Sequence, residues 1–503
     1  MSDETYFKEL TTKLSQARIF LSGDAKGAMA DGIDVDLLVS KIIESHKTAQ
    51  GAVFIDSDEI KEVVKAIMSE KNPEQIEVVR KPGFSPLAAE FDAEYAINVI
   101  NPEQTSGNLN DFVDYFKDRL EKMRAILETN RNKVYGFVKT LESTKSFTNG
   151  REVVLVGIVT SRIVTKNGNI MVIMEDETGE VKVIFMNGSN PRSKELFEKA
   201  GHIANDEVIA VKGKVSNVFI MASEIVWPDI PIKEKKFSEK DTAIAFMSDV
   251  HVGSKLFLDK SFSYMLRWLN GSVDKYADLA GKIKYMIIAG DAADGIGVYP
   301  NQDRDHAIQD VYAQYKLLFN LLDAVPDYVH VFVLPGNHDA VQRAEPQPPL
   351  GADIIGDFKK DNIHIVSNPA YMKLGGFDVL SYHGTSLDSV ISAIPNNSYA
   401  QPEKAMVELL KRRHLSPIYG GNVVVPSKKD NMVIEKVPDI LHMGHIHKNG
   451  LTEYHGVDVV NSGTWQGRTD FQIRQGHIPS PCIMPIFEMK AHRFNSINFG
   501  EGL

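Results

Sequence analysis

Cysteine is almost absent from this chain of 503 residues, and several other absences narrow the class of protein. The single cysteine, Cys482, excludes an intrachain disulfide and a zinc site built from several thiolates. No run reaches the roughly 18 consecutive apolar residues that a membrane-spanning helix needs. The first residues have neither a basic start nor an apolar stretch, so no signal peptide is predicted. We therefore expect a soluble, cytoplasmic protein with no membrane contact.

Positive charge is also scarce. Lys and Arg number 56 against 67 Asp and Glu, and the formal net charge is -11. Proteins that bind DNA nonspecifically by counterion release need a basic surface, which this composition does not supply overall. If the chain acts on nucleic acid, we expect a local patch or a partner chain to provide the contact.

The hydrophobic pattern divides the chain into several domains, as its length leads one to expect. Residues 1–75 have helical periodicity and predict a small helical module, while residues 76–108 predict a linker. A helical segment follows over 109–145. Residues 146–232 hold five short β-rich runs with a helix-like piece after the third, which predicts a barrel of the OB type. Residues 241–503 alternate apolar strands with helices, as an α/β sandwich does.

Five short polar motifs each follow an apolar strand of the last region. They end the strings IAFMSDVH, YMIIAGDAADG, VHVFVLPGNHD, DVLSYHG and DILHMGHIH. Sites in open α/β sheets assemble at the carboxyl ends of strands, so we expect these side chains to converge. The candidate residues are Asp249, His251, Asp291, Asn337, His338, Asp339, His383, His445 and His447.

The ligand types in these motifs indicate the kind of ion. Carboxylate, imidazole and amide groups without thiolate suit two divalent cations, with Mn²⁺ preferred and Zn²⁺, Fe²⁺ or Mg²⁺ as alternatives. If two ions lie about 3.5–4 Å apart, as in-line phosphoryl displacement requires, one carboxylate must bridge them.

The order DxH, GD, GNHD, H and GHxH resembles the calcineurin-like metallophosphoesterase superfamily over about residues 242–465. The resemblance implies a two-sheet sandwich and a dinuclear centre. One ion would be held by Asp249, His251 and His447, the other by Asn337, His383 and His445, with Asp291 bridging. It also implies that His338 faces the substrate phosphate or leaving oxygen and that Asp339 orients His338. Gly295 stands where the phosphoprotein phosphatases of the superfamily carry an arginine, so phosphoprotein hydrolysis is not expected.

Three further strings narrow the resemblance. They are GIGVYPNQDRD (295–305), ELLKRRHLSPIYGGN (408–422) and VVNSGTWQ (459–466). With the barrel before them, they are similar to the small subunits of archaeal family D DNA polymerases over about residues 110–500. That family implies a 3′–5′ proofreading exonuclease for single-stranded or frayed DNA 3′ ends, held beside a large catalytic subunit that it also scaffolds. The alternatives are a standalone phosphoesterase for small phosphodiesters and a non-catalytic scaffold.

Two features are candidates for DNA contact. The consecutive Lys411, Arg412 and Arg413 predict either a basic lip that guides the DNA backbone or a docking surface, with an ordinary solvated face as the alternative. Tyr299 and Trp465 lie near the motifs and are candidates for stacking on a frayed base, with ordinary packing as the alternative.

Overall fold

In a computed structural model of the chain, the described residues are 3–22, 35–46, 53–61, 63–64, 83–102, 105–129, 136, 138 and 140–500. The chain divides into two compact units, Met1–Ile76 and Glu77–Leu503. No helix among the described residues is both long and apolar enough to cross a membrane.

The described helices and strands are numbered here in chain order. The helices are α1 (Asp3–Gln16), α2 (Val35–Ser45), α3 (Leu109–Thr129), α4 (Pro191–Gly201), α5 (Asp259–Leu269), α6 (Ala277–Lys282), α7 (Val311–Asp323), α8 (Ala352–Ile355), α9 (Leu387–Ala393), α10 (Pro402–Arg412) and α11 (Asp470–Arg474). The strands are β1 (Ile19–Leu21), β2 (Val53–Ile55), β3 (Tyr95–Val99), β4 (Glu152–Val164), β5 (Ile170–Asp176), β6 (Gly179–Phe185), β7 (Val208–Ser216), β8 (Phe219–Val226), β9 (Ala243–Met247), β10 (Ile283–Ala289), β11 (His330–Leu334), β12 (Ile363–Ile365), β13 (Ala370–Leu374), β14 (Phe377–Tyr382), β15 (Ile440–Met443), β16 (Asn449–Tyr454), β17 (Val457–Ser462), β18 (Ile483–Glu488) and β19 (Arg493–Asn498).

The first unit contains more than the predicted helices. Strands β1 and β2 pair in parallel, with Phe20 opposite Phe54. Apolar side chains of α1 and α2, among them Leu14 and Ile42, form a common core with Ile19 and other strand residues. Strands of three residues are too short to show alternation, which explains why the sequence pattern missed them.

Part of the predicted linker is a strand. β3 pairs antiparallel with β13, and Tyr285 accepts from the amide of Glu94 at 2.9 Å through its hydroxyl oxygen. The linker prediction over residues 76–108 was therefore wrong for residues 95–99. The partner strand lies far along the chain, so no local pattern signals the pairing.

The barrel has the predicted strand and helix order. Its closed strand order is β4-β5-β6-β8-β7, and α4 lies between the third and fourth strands. The interior is apolar and includes Leu155, Val172, Val183 and Phe185. Leu120 and other residues of α3 pack on the outside of this barrel.

Two six-stranded sheets make up the rest of the second unit. Their strand orders are β12-β11-β10-β9-β18-β19 and β16-β17-β15-β14-β13-β3. One apolar cluster joins them, with Phe246 and Phe332 from the first sheet and Met372 and Val460 from the second. Strands β9 to β12 are parallel, and so are β14, β15 and β17. The loops after these parallel strands therefore leave each sheet at the same edge.

Candidate metal centre

The five motifs follow five of these parallel strands. Asp249 and His251 follow β9, Asp291 follows β10, and His383 follows β14. The GNHD motif follows β11, and the GHIH motif follows β15. Three groups of candidate ligands result: Asp249 with His251 and His447, His251 with Asp291 and His338, and Asp291 with His383 and His445. The structure thus brings together side chains that are separated by up to about 200 positions in sequence.

The backbone at these motifs is unusual. The candidate ligands in the left-handed region are Asp249 (φ 51°), His251 (φ 53°), Asp291 (φ 50°), His445 (φ 67°) and His447 (φ 57°). Non-glycine residues with positive φ are uncommon, and they concentrate at functional sites. A Cβ on Gly336 would lie 2.2 Å from Asp291 Oδ1, and one on Gly444 would lie 2.4 Å from Asp249 Oδ2. The glycines of GNHD and GHIH therefore allow the loops to approach each other closely.

One group of ligand atoms surrounds Asp249. His447 Nε2 lies 3.3 Å from Asp249 Oδ1, and His251 Nε2 lies 4.0 Å from the same oxygen. The two Nε2 atoms are 3.2 Å apart. Asp249 Oδ1 is buried and accepts no hydrogen bond within the described chain. A buried carboxylate oxygen without a donor, facing two imidazole nitrogens, fits a bound cation.

The second group surrounds His383. Its Nε2 lies 2.9 Å from Asn337 Oδ1, 3.3 Å from Asp291 Oδ2 and 3.3 Å from His445 Nδ1. Asp291 Oδ2 is also 3.9 Å from His251 Nε2. Asp291 therefore lies between the two groups, which is where a shared carboxylate must be.

The electrostatics show how strongly this cluster attracts positive charge. Burial lowers the pKa of His251, but a hydrogen bond to Asp294 and the charges of Asp291, Asp294 and Asp249 outweigh burial and raise it to about 9. Burial likewise lowers the pKa of His383, yet Asp291 raises it to about 10. Burial raises the pKa of the Asp291 carboxyl, but the neighbouring imidazoles hold it well below its usual range. The cluster thus keeps its carboxylates ionised and favours positive charge beside them, which either an imidazolium or a bound cation can supply.

A second layer of contacts fixes the orientation of the imidazoles. His251 Nδ1 donates to Asp294 Oδ1 at 3.0 Å, and His383 Nδ1 donates to the Ala289 carbonyl at 2.9 Å. His445 Nε2 lies 3.0 Å from Asp388 Oδ2. Such partners hold metal-binding imidazoles in position.

Sequence reasoning missed several of these supporting residues. Gln472 contacts His447 Nδ1 through its amide nitrogen at 2.8 Å. Asp294 is in the string GDAADG, three residues after Asp291, so the motif itself carried a signal. Asp388 and Gln472 lie on short helices with no recognisable local pattern.

His338 lies beside the cluster. Its Nδ1 donates to the main-chain carbonyl of Asp294 at 2.8 Å, and its Nε2 lies 4.0 Å from Asp291 Oδ2. Its own amide donates to Asp291 Oδ1 at 2.9 Å. Burial lowers the pKa of His338, while the charge of Asp291 opposes that shift. The ring is therefore held with Nε2 towards the cluster.

Asp339 does not orient His338, contrary to the prediction. Its carboxylate accepts hydrogen bonds from the amides of Ala292 (3.1 Å), Ala293 (3.1 Å) and Gly336 (2.8 Å) and from the Tyr315 hydroxyl (2.7 Å). Burial and the charge of Asp291 raise its pKa to about 6. Asp339 therefore holds the loops after β10 and β11 together, and the carbonyl of Asp294 orients His338 instead.

The predicted basic lip is also wrong. Arg412 is buried, and its guanidinium forms ion pairs with Glu207 and Glu408. Arg413 is buried and donates to the carbonyls of Ile434 and Glu435. Lys411 forms an ion pair with Glu408 at 2.9 Å. Because Glu207 belongs to the barrel, Arg412 joins the barrel to α10 and is not exposed for contact with DNA.

The two aromatic candidates differ. Trp465 is only 1% exposed and packs against Phe262 and Phe499, so it is a core residue. Tyr299 is 38% exposed, and the centre of its ring lies 6.1 Å from that of His338. Of the two, only Tyr299 stays available beside the centre.

Comparisons with known proteins agree with one another. The family model that describes the B subunits of DNA polymerases alpha and epsilon matches residues 244–449. The DNA polymerase II small subunit of Archaeoglobus fulgidus is 40% identical, over 91% of this chain and 90% of the relative. That of Methanothermobacter thermautotrophicus is 33% identical, over 95% of this chain and 97% of the relative. That of Methanocaldococcus jannaschii is 41% identical, over 80% of this chain and 68% of the relative.

Proposed function

The chain belongs to the family of archaeal DNA polymerase II small subunits, and we propose that it is the polymerase's 3′–5′ exonuclease. As a small subunit it has a large catalytic partner. In this proposal the chain serves that partner both as a scaffold and as the site that removes mispaired 3′ ends.

The observation that carries the proposal is the complete set of ligands around Asp249 and Asp291. A buried carboxylate oxygen without a hydrogen-bond donor destabilises the fold unless a ligand such as a cation binds to it. Asp249 Oδ1 is such an oxygen, and it faces two imidazoles. A chain that only scaffolded its partner would have no need for this arrangement.

We assign the ligands to two divalent ions, with Mn²⁺ as the first choice. Asp249, His251 and His447 would hold one ion, Asn337, His383 and His445 the other, and Asp291 both. When bound, two such metal ions would neutralise charge on the phosphoryl oxygens and lower the pKa of a water molecule.

His338 supplies the proton in the proposed reaction. Hydrolysis breaks the bond between phosphorus and the 3′ oxygen of the penultimate nucleotide, which leaves a nucleoside 5′-monophosphate. The 3′ oxygen needs a proton, and His338 Nε2 points towards the cluster while Nδ1 is held by Asp294. Because the Nδ1 proton is held by the Asp294 carbonyl, the proton for the 3′ oxygen comes from Nε2 of the imidazolium form.

The position of Gly295 supports a diester substrate. Its φ is +69°, and a Cβ there would lie 1.9 Å from the His338 carbonyl oxygen. No side chain fits at this position without moving the loop that carries His338. The site consequently has no arginine at this position to bind a terminal phosphate. A phosphodiester, whose phosphate is esterified on both sides, therefore suits the site better than a phosphate monoester.

The test uses the small subunit in complex with its large partner. Asp291→Asn keeps an oxygen acceptor for the His338 amide but removes the charge that the two ions share. We expect loss of bound metal and at least about a hundredfold slower removal of a 3′-mismatched nucleotide, since two nearby cations repel without that charge. Elemental analysis and a primer-shortening assay measure both.

Asp303→Asn is the matched control, because Asp303 is an exposed carboxylate on the neighbouring loop. It should shorten the primer at the wild-type rate. Full activity of Asp291→Asn, or an unchanged metal content, would refute the assignment.

A further inference from the structure

The burial of Arg412 and Arg413 leaves open which surface receives the strand. One exposed segment beside the centre carries arginines and apolar side chains: residues 468–478, which include α11 and one carboxylate, Asp470. Arg468 and Arg474 are exposed there, and no carboxylate of the described chain forms an ion pair with either. Phe471 is 60% exposed, and Ile473 and Ile478 are exposed as well. We call residues 468–478 the 468–478 segment.

The middle of the 468–478 segment is hydrogen-bonded to a candidate ligand. The amide nitrogen of Gln472 lies 2.8 Å from His447 Nδ1. A capping box also fixes Gln472. Its main-chain N–H donates to the Thr469 hydroxyl at 3.2 Å, and the main-chain N–H of Thr469 donates to the side-chain oxygen Oε1 of Gln472 at 3.1 Å. The segment is therefore one hydrogen bond away from the metal centre.

The C-terminal end of the segment is connected to His445 of the same motif through Tyr399 and Asp388. The rings of His477 and Tyr399 lie 4.1 Å apart at 30°. The Tyr399 hydroxyl bonds to Asp388, and Asp388 accepts from His445 Nε2 at 3.0 Å. The 468–478 segment thus contacts His447 directly and is connected to His445 through Tyr399 and Asp388.

The order of residues along the segment matches a single strand. Arg468, Phe471, Arg474 and His477 follow one another at intervals of three, so cations alternate with rings. Surfaces that bind single strands combine a basic track for phosphates with aromatic faces for bases. Protein interfaces are also rich in arginine and aromatic side chains, so the choice of partner rests on the charge of the segment and on the site beside it. In a chain of net charge -11, two exposed arginines that form no ion pair within the described residues, beside the proposed phosphodiester site, favour nucleic acid.

We propose that the 468–478 segment, with Tyr399, binds the single-stranded DNA 3′ end beside the metal centre. Arg468 and Arg474 contact backbone phosphates, Phe471 stacks on a base, and the Tyr399–His477 pair offers a second stacking face. This inference rests on the proposed exonuclease function and names the surface by which its substrate is held.

The first test measures binding rather than cleavage. The full chain carrying Arg468→Gln and Arg474→Gln is compared with wild type for binding a short 3′-labelled single strand by fluorescence anisotropy over a range of salt. We expect weaker binding and a log–log salt slope shallower by about 1.4, since each phosphate contact on a single strand contributes about 0.7. Metal content and melting temperature should stay at their wild-type values.

The matched control is Lys359→Gln with Lys490→Gln. Both lysines are exposed. Lys359 precedes the start of β12 and Lys490 follows the end of β18, at the edge of the sheet opposite the motifs. The same loss of charge there should leave the slope unchanged.

A second pair of variants tests stacking. Phe471→Ala should weaken binding at least about fivefold, because stacking of a base on an aromatic ring is worth that much or more. Phe237→Ala is the control, since Phe237 is similarly exposed (66%) and packs on His492 next to β19. It should bind as wild type does.

The outcomes separate the surface from the function. If the wild-type chain binds the single strand without shortening it, and Arg468→Gln/Arg474→Gln and Phe471→Ala both bind it more weakly, the exonuclease function is refuted and the binding surface is supported. Variants that bind as the controls do refute the surface, even if wild type shortens DNA. So does a wild-type chain that fails to bind the strand. Loss of the large partner from Arg468→Gln/Arg474→Gln, with DNA binding intact, would make this a protein-docking surface and overturn the proposal.

Discussion

Two neighbouring residues of the GNHD motif have different surroundings, and this difference can be measured. Asn337 Oδ1 contacts His383 Nε2 at 2.9 Å, whereas His338 is held by the carbonyl of Asp294. We expect Asn337→Ala to lose bound metal and to recover part of its rate in excess Mn²⁺. His338→Ala should keep its metal but lose about 10²–10⁴ in rate, the usual contribution of a general acid. Elemental analysis and primer shortening on 3′-mismatched DNA give both values.

The contrary outcome for His338 is specific. His338 Nε2 lies within 4.8 Å of ligand atoms of His251 and Asp291, so the geometry also allows it to be a ligand. If His338→Ala loses a metal ion, His338 is a ligand and the proposed acid must be another group. Rescue of His338→Ala by excess Mn²⁺ would lead to the same conclusion.

At the residue scale, sequence alone could indicate which residues meet but not every role. The motifs were recognisable because each follows a strand, and strand ends converge whatever the packing details. Arg412 and Arg413 looked like a solvated charge run because their partners, such as Glu207 and the Ile434 carbonyl, lie elsewhere in the sequence. The misassigned contact of Asp339 has the same cause, since the loop after β10 surrounds its carboxylate.

At the scale of elements, whether a strand could be predicted depended on the length of the strand and on where its partner strand lies in the sequence. The barrel was predictable because its five strands are 7 to 13 residues long and consecutive in sequence. β3 was not, because its partner β13 lies in the last third of the chain. Local patterns identify elements that neighbouring segments stabilise, and they miss elements that depend on distant ones.

One buried arginine of helix α3 contacts three other segments of the second unit. Arg119 donates to Asp430 Oδ2 at 2.7 Å, to the Asp206 carbonyl at 3.1 Å and to the Pro417 carbonyl at 3.2 Å, and all but 1% of its surface is buried. Arg119→Met should lower the free energy of unfolding by about 3–5 kcal/mol, because it removes the arginine from buried Asp430 and leaves His414 as the remaining ion-pair partner among the described residues. Urea unfolding followed by circular dichroism measures this.

Lys117→Met is the control on the same helix. Lys117 pairs with Glu177 at 3.9 Å, and both side chains are about half exposed. Exposed pairs contribute less than about 1 kcal/mol, so this variant should unfold close to wild type. Equal effects of the two substitutions would show that Arg119 does not join the elements as described.

The effect of Arg119→Met should depend on pH. Burial raises the pKa of Asp430, but His414 and Arg119 hold it far below its usual range. A carboxyl whose pKa is depressed in the folded state stabilises the fold above its unfolded pKa of about 3.9, and that contribution is lost as pH falls further. The difference in unfolding free energy between wild type and Arg119→Met should therefore be largest near neutral pH and shrink below about pH 4. A difference that grows on acidification would contradict the assignment.

At the scale of the whole molecule, the two units have separate cores. Leu14, Ile42 and Ile55 belong to a cluster formed within the first unit. All candidate ligands, and both sheets that present them, belong to the second unit. The division between structural units thus leaves the metal centre entirely on one side.

Removal of the first unit should consequently leave the metal centre intact. We expect a chain of residues 77–503 to bind the same amount of metal as the full chain and to shorten a 3′-mismatched primer at a rate within about threefold of it, because no candidate ligand and no supporting contact named above lies before residue 77. A control truncation that begins after Val99 removes β3 and leaves the edge of β13 unpaired, so it should lower the melting temperature. Loss of metal from residues 77–503, with circular dichroism still showing a folded chain, would mean that the first unit supports the centre, and its role would then extend beyond a separate module.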